Sequence, residues 1–240
     1  MDDTLQTASP NADGSGAMFD RIAARYDRLN RILSLGMDRG WRRAAVRALE
    51  LKPDMRILDL ATGTGDLAFE IAAAQDRTTV VGVDPSPNML EVAGEKLGDR
   101  DGRVSFEIGD AQDLRHETNS FDGSTIAFGI RNVPDRLAGL REMARVTRPG
   151  GRVVVLELSE PGGGPISAFA RLYVHQVVPR IGAFLSGARE YRYLQESIEA
   201  FPPAAKFVEM MESVGLRDVE VRSLAFGACH LYVGRSEEEV

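Results

Sequence analysis

One cysteine, Cys229, occurs in 240 residues. An intramolecular disulfide and a cysteine-rich metal site are therefore excluded, a reducing compartment suits the chain, and packing is the expected role of Cys229. Long apolar runs are also missing. Nothing approaches the roughly 18 consecutive apolar residues that span a bilayer, and the nearest stretch, 166–185, is interrupted by Arg171, His175, Pro179 and Arg180. The N-terminus, MDDTLQTASPNADGSG, lacks the basic start and apolar centre of a signal peptide. Residues 1–17 are expected to form a mobile tail. A basic excess is absent as well: the formal net charge is −7, which argues against nucleic acid as the main partner. No histidine and carboxylate spacing suggests a metal ligand set. A soluble, cytoplasmic protein is expected, with one face of 166–185 free to touch a membrane.

What is present fits one domain over 18–240, with 43% hydrophobic and 27% charged residues. Phe19, Ile22, Ala23, Tyr26, Leu29 and Leu33 recur at helical spacing until Gly36. A second helix is expected over 39–51, capped by Asp38, and together these form an N-terminal lid over 18–52. Short apolar runs then alternate with helical patterns: RILDLA to Ala61, TVVGVD to Asp84, VSFEIGD to Asp110, GSTIAFG to Gly129 and GRVVVLELS to Ser159. Ser86 with Pro87 reads as a helix start, and Pro134 opens the helix carrying Leu137, Leu140 and Ala144. After PGGGP comes a helical insertion, about 161–203, then a helix over 204–214 and two closing strands around Phe226 and Gly227. The pattern predicts an α/β fold: a doubly wound, mostly parallel seven-stranded sheet with a C-terminal antiparallel hairpin.

In open parallel sheets ligands bind outside the carboxyl ends of the strands. The first strand runs into DLATGTGDLA, where Gly63 and Gly65 allow a ligand to approach the backbone; such a turn also occurs merely to pack a strand on a helix. Asp84, 25 residues after Asp59, ends the second strand, where a carboxylate can accept both ribose hydroxyls. Asp110 ends the third. GTGDLA satisfies the looser dinucleotide fingerprint, so NAD competes for this site. Asp59 would repel a pyrophosphate, whereas the ammonium and sulfonium of S-adenosylmethionine suit carboxylates.

DLATGTG from Asp59 to Gly65, Asp84 and the pair Asp110–Ala111 resemble the cofactor motifs of class I methyltransferases, which have a Rossmann-like fold. The flanks are more specific. YDRLNRILSLGMDRGW from Tyr26, FGIRNVPD, RVTRPGGRVVVLELSEP and the segment YVHQVVPRIGAFLSGAREYRYLQESIEAFP resemble the quinone-ring C-methyltransferases of menaquinone and ubiquinone biosynthesis, over nearly all of 18–235. Asp38 stands where that family carries histidine, and Ala127 where it carries a cofactor-contacting serine.

The resemblance implies S-adenosylmethionine held by Asp59, Ala61, Gly63, Thr64, Gly65, Asp84, Asp110, Ala111 and Ala127, and methyl transfer to a ring carbon of a prenylated quinol, foremost demethylmenaquinol. A phenol has a pKa of about 10, so its anion needs stabilising. Arg131 is the first candidate, with Asn132 orienting the ring hydroxyl and Tyr26 contacting quinol or cofactor. His116, His175 and His230 are weaker candidates for a base. The apolar stripe of 166–193 is a core or homodimer contact, or a lid over the prenyl tail. Two rivals stay open: a methyltransferase of a soluble phenol, and a non-catalytic S-adenosylmethionine-binding protein.

Overall fold

The computed structural model describes residues 34–98, 102–159 and 188–237, preceded by 19, 20, 23, 25–28 and 30–32. The expected tail, most of the expected insertion with its apolar stripe, and His175 lie outside the described residues. Seven strands form one sheet: β1 (Arg56–Leu60), β2 (Thr79–Asp84), β3 (Val104–Ile108), β4 (Phe121–Ala127), β5 (Thr147–Leu158), β6 (Leu216–Leu224) and β7 (Cys229–Ser236). Their order is β3-β2-β1-β4-β5-β7-β6. The first five strands pair in parallel, and β7 runs antiparallel to both β5 and β6. The order reverses between β1 and β4, which makes their carboxyl ends the topological switch point.

Alternation along the strands builds a core on each face. Ile57, Val80, Val154 and Leu156 pack with Trp41, Ala45, Leu67 and Ile71 of α1 (Asp38–Ala48) and α2 (Asp66–Ala74). Leu58, Leu60, Val153 and Val155 pack on the other face with Leu140, Met143, Phe207 and Met210. Those last four come from α4 (Arg136–Val146) and α6 (Ala204–Ser213). Ahead of α4 in the chain, α3 (Pro87–Leu97) buries Met89 and Ala93, and α5 (Ala188–Glu199) precedes α6. The described residues from 19 to 32 are helical. Cys229 is fully buried, and burial raises its thiol pKa well above the ordinary value. Among the described residues no helix is long and apolar enough to cross a membrane.

Two starts differ from expectation. Asp38 does not cap α1: the helix begins at Asp38 itself, without a side-chain cap. Its buried carboxylate accepts hydrogen bonds from Ser34 and from Arg42, each at 2.8 Å, because a buried acid one helical turn from an arginine is better neutralised than left facing its own amides. Pro134 precedes α4 rather than opening it; Asp135 is the cap, its carboxylate accepting from the Ala138 amide at 3.0 Å. Ser86 caps α3 as expected, accepting from the Met89 amide at 3.2 Å.

Candidate active site

The loop after β1 passes through left-handed backbone at Ala61 (φ +47°), Gly63 (φ +56°) and Gly65 (φ +80°). The two glycines serve different ends. A Cβ on Gly65 would lie 2.8 Å from Phe106 and 2.9 Å from Phe69, so glycine lets the loop settle under that aromatic pair. A Cβ on Gly63 would meet nothing closer than 4.0 Å; this residue faces a cavity of about 320 Å³ at the switch point.

Asp84 forms one wall of that cavity. It is buried, and its oxygens accept one amide each, from Gly63 and from Ser86, both at 2.9 Å. Burial raises its pKa, and the two amides oppose that rise. Each oxygen keeps a further acceptor site, as a ribose diol requires. Asp110 and Ala111 form the next wall, with Asp110 Oδ1 holding the Gln112 amide at 2.9 Å. Ala127 ends β4 at the cavity, and Gly129 follows so closely under the β1 loop that a Cβ there would lie 2.4 Å from the Ala61 Cβ. Phe19 and Tyr26 line the cavity from the N-terminal helical segment, their rings edge to face at 6.0 Å. Tyr26 is half-buried, and desolvation of its hydroxyl raises its pKa against the lowering influence of Arg131.

The predicted site residues divide into three groups. Ala61, Gly63, Asp84, Asp110, Ala111, Ala127, Tyr26 and Asn132 line the main cavity together. Asp59 and Thr64 instead line a neighbouring space of about 50 Å³. The Asp59 carboxylate lies beneath the loop, accepting the hydroxyls of Thr62 and Thr125 at 2.7 Å each, and desolvation pushes its pKa up to about 6. The Thr64 hydroxyl donates to Asp27 at 2.6 Å, tying the N-terminal segment to the loop, and Lys96 joins the same cluster. Gly65 and Arg131 line neither space.

Arg131 departs most from expectation. The turn Ile130–Asn132 presents Asn132 to the cavity, while the guanidinium is buried against Glu157, at 2.5 Å, and against the Phe128 carbonyl, at 2.6 Å. Glu157 is itself wholly buried and also accepts the amides of Arg131 and Leu158. An acid at that depth on β5 requires a cation, and Arg131 is the one that reaches it. Neither described histidine lines the cavity. His230 Nδ1 lies 2.6 Å from Ser159 Oγ, and His116 packs edge-on against Phe121.

Three participants, Asp20, Tyr193 and Glu157, were not read from the sequence. The Ser86 hydroxyl binds Asp20 at 2.5 Å, fastening the roof. The Tyr193 hydroxyl donates to Asn132 Oδ1 at 2.9 Å and its ring meets Phe19 edge to face at 6.5 Å. Glu157 had a visible signal: it is the one acid inside the apolar run VVVLELS.

This sheet order, with its antiparallel final strand and a carboxylate-walled cavity at the switch point, defines the class I methyltransferase fold. The Haemonchus contortus phosphoethanolamine N-methyltransferase 2, solved in complex with S-adenosyl-L-methionine, shares it with a TM-score of 0.63 at 19% identity, over 82% of this chain and 52% of that one. The model of the ubiE/COQ5 methyltransferase family matches residues 8–236, and the chain belongs to that family. It is 50% identical over 217 residues (90% of this chain, 92% of the relative) to the ubiquinone/menaquinone biosynthesis C-methyltransferase UbiE of Syntrophotalea carbinolica. It is 48% identical over 218 residues, 90% of each chain, to the demethylmenaquinone methyltransferase of Deinococcus radiodurans.

The cavity's chemistry suits S-adenosylmethionine. Among the described lining residues Asp84 and Asp110 are the charged ones, and neither lysine nor arginine is present. A pyrophosphate would meet two carboxylates without a cation; a sulfonium and an ammonium meet favourable charge. The carboxylates that line this cavity are those of Asp84 and Asp110, whereas that of Asp59 lies beneath the loop.

Proposed function

We propose that this protein is an S-adenosylmethionine-dependent C-methyltransferase acting on the ring of a prenylated quinol, with demethylmenaquinol as the first substrate. The observation that carries the proposal is the cavity's lining: the carboxylates of Asp84 and Asp110 and the glycine loop, together with Asn132 and the aromatic side chains of Phe19, Tyr26 and Phe128. The names of the relatives support the quinone ring as acceptor.

S-adenosylmethionine, when bound, supplies an electrophilic methyl group on a sulfonium. Asp84 holds the ribose, and Gly63 leaves room for the cofactor against the backbone. Asn132 donates its amide to the quinol oxygen and stabilises the phenolate formed when that oxygen gives its proton to solvent water; the anion's charge makes the neighbouring ring carbon nucleophilic, and that carbon releases its own proton to water once it carries the methyl group. Because Tyr193 donates to Asn132 Oδ1, the amide NH₂ is the end left to face the ring. Arg131 acts through this turn, a positioning residue held by Glu157. Tyr26 packs on the ring and, with Phe19, excludes water.

Quinone mass analysis of a strain lacking the gene tests the proposal. The demethyl quinone should accumulate, and the wild-type gene, but not its Asp84→Asn variant, should restore the methylated species. An unchanged quinone profile would refute the assignment.

A further inference from the structure

The chain is acidic overall, yet residues 25–47 hold seven arginines against two aspartates, a local net of five positive charges. Both aspartates are used internally, Asp27 by Lys96 and Thr64, Asp38 by Arg42 and Ser34. Six of the arginines, 25, 28, 31, 39, 43 and 47, are exposed. Among the described residues none of these six is in an ion pair. Their spacing is ordered. Arg25, Arg28 and the exposed Ile32 recur on the outer face of the helical segment whose inner face carries Phe19 and Tyr26, and Arg39, Arg43 and Arg47 follow one another at every fourth residue of α1.

The turn joining the two helices carries large apolar side chains in the open: Leu35 is 65% and Met37 40% exposed. Leu35 sits there in left-handed backbone, φ +52°, a conformation that disfavours a γ-branched residue. A second strained apolar tip, Phe226 (φ +58°, 69% exposed), lies on the same edge of the sheet. The β6–β7 turn adjoins the carboxyl end of β5 through the Ser159 amide and Ala228 carbonyl, 3.1 Å apart. The turn before α1 adjoins that edge through Trp41, whose ring is 6.2 Å from Phe128.

We propose that this surface docks the protein on an anionic lipid bilayer, the arginines facing headgroups and Leu35, Met37 and Phe226 entering the interface. The positive strip on an acidic protein matches the sign of an anionic leaflet, and the roof of the cavity then faces the source of the substrate. That benefit rests on reading the substrate as prenylated; the docking itself does not. A basic strip tipped with protruding apolar side chains fits a lipid interface better than the flat phosphate array of a nucleic acid.

Sedimentation of the full-length protein with vesicles tests the proposal. Binding is expected to equal mixtures of phosphatidylcholine and phosphatidylglycerol, to weaken as salt rises, and to be slight with phosphatidylcholine alone. Arg39→Gln, Arg43→Gln and Arg47→Gln together should weaken it roughly 100-fold, from about fivefold per arginine near an anionic surface. Leu35→Asn with Phe226→Asn should also weaken it without loss of folding, because asparagine tolerates left-handed backbone. No wild-type binding, equal binding to both vesicles, or variants that bind like wild type would overturn the proposal, as would release of vesicle-bound protein by duplex DNA. Methyl transfer to a short-tailed quinol in the same preparations, without vesicles, reports separately on the enzymatic reading.

Discussion

Removing either partner of the buried pair Arg131–Glu157 should unfold a large part of the protein's margin. The side chains are 5% and 0% exposed and 2.5 Å apart. Arg131→Met leaves the Glu157 charge without its cation, and breaking such a pair costs about 3–5 kcal/mol. Glu157→Leu strands the guanidinium and also takes the acceptor from the Arg131 and Leu158 amides, so its loss falls in the same range or above. The double variant removes both charges and leaves chiefly the two amides, about 1 kcal/mol each. It should therefore be only about 2 kcal/mol less stable than wild type, with a coupling of at least roughly 4 kcal/mol. Urea denaturation of the four proteins measures this, and the melting temperatures of the single variants should fall by roughly 6–20 °C. Single variants that each lose under about 1 kcal/mol and simply add would refute the reasoning, and would return Arg131 to the role of a free cation available to a ligand. Turnover by the folded double variant then tells whether the guanidinium does anything beyond holding the turn.

Asp84→Asn should weaken S-adenosylmethionine binding by roughly 10- to 150-fold in calorimetric titration, the range of a charge-assisted hydrogen bond, with little change in fold. Gly129→Ala places a Cβ 2.4 Å from that of Ala61; a stability loss of about 1–3 kcal/mol and a displaced cofactor loop, seen as weaker cofactor binding, are expected. Asp59 titrates near 6 in the folded protein against its ordinary 3.8, through desolvation. Its contribution to stability is thus fully present below about pH 4 and is lost as pH rises through 6. Denaturation across that window should show a fall of about 2–3 kcal/mol from this group, which Asp59→Asn removes; equal pH slopes for the two proteins would contradict the assignment. Tyr193→Phe should lower kcat for quinol methylation several-fold while leaving cofactor affinity unchanged, because it frees the Asn132 amide to rotate.

Much of this was legible in the sequence because it is local. The glycine loop, Asp84 at a strand end and Ser86 before Pro87 are set by neighbours within a few residues, and each lies where its spacing puts it. What escaped depends on partners brought by the sheet. Arg131 next to Asn132 reads as a pair of active-site donors until β5 places Glu157 beside one of them. Asp59 reads as a cofactor-facing acid until β4 supplies the Thr125 hydroxyl from 66 residues away. Asp38 was expected to cap a helix, and the arginine one turn ahead claims it instead. In each case the missed partner neutralises a buried polar group. That rule identifies which residues need a partner, while the topology identifies the partner.

The central claim is methyl transfer to a quinol ring at the switch-point cavity. The most direct measurement incubates the purified protein with S-adenosylmethionine labelled on its methyl group and reduced demethylmenaquinone, and locates the label by mass spectrometry. The account predicts one labelled methyl on a ring carbon of the quinol, with S-adenosylhomocysteine formed in equal amount and both lost in Asp84→Asn. Label on oxygen, equal labelling of tail-free phenols, or binding of S-adenosylmethionine without transfer to the quinol would contradict it.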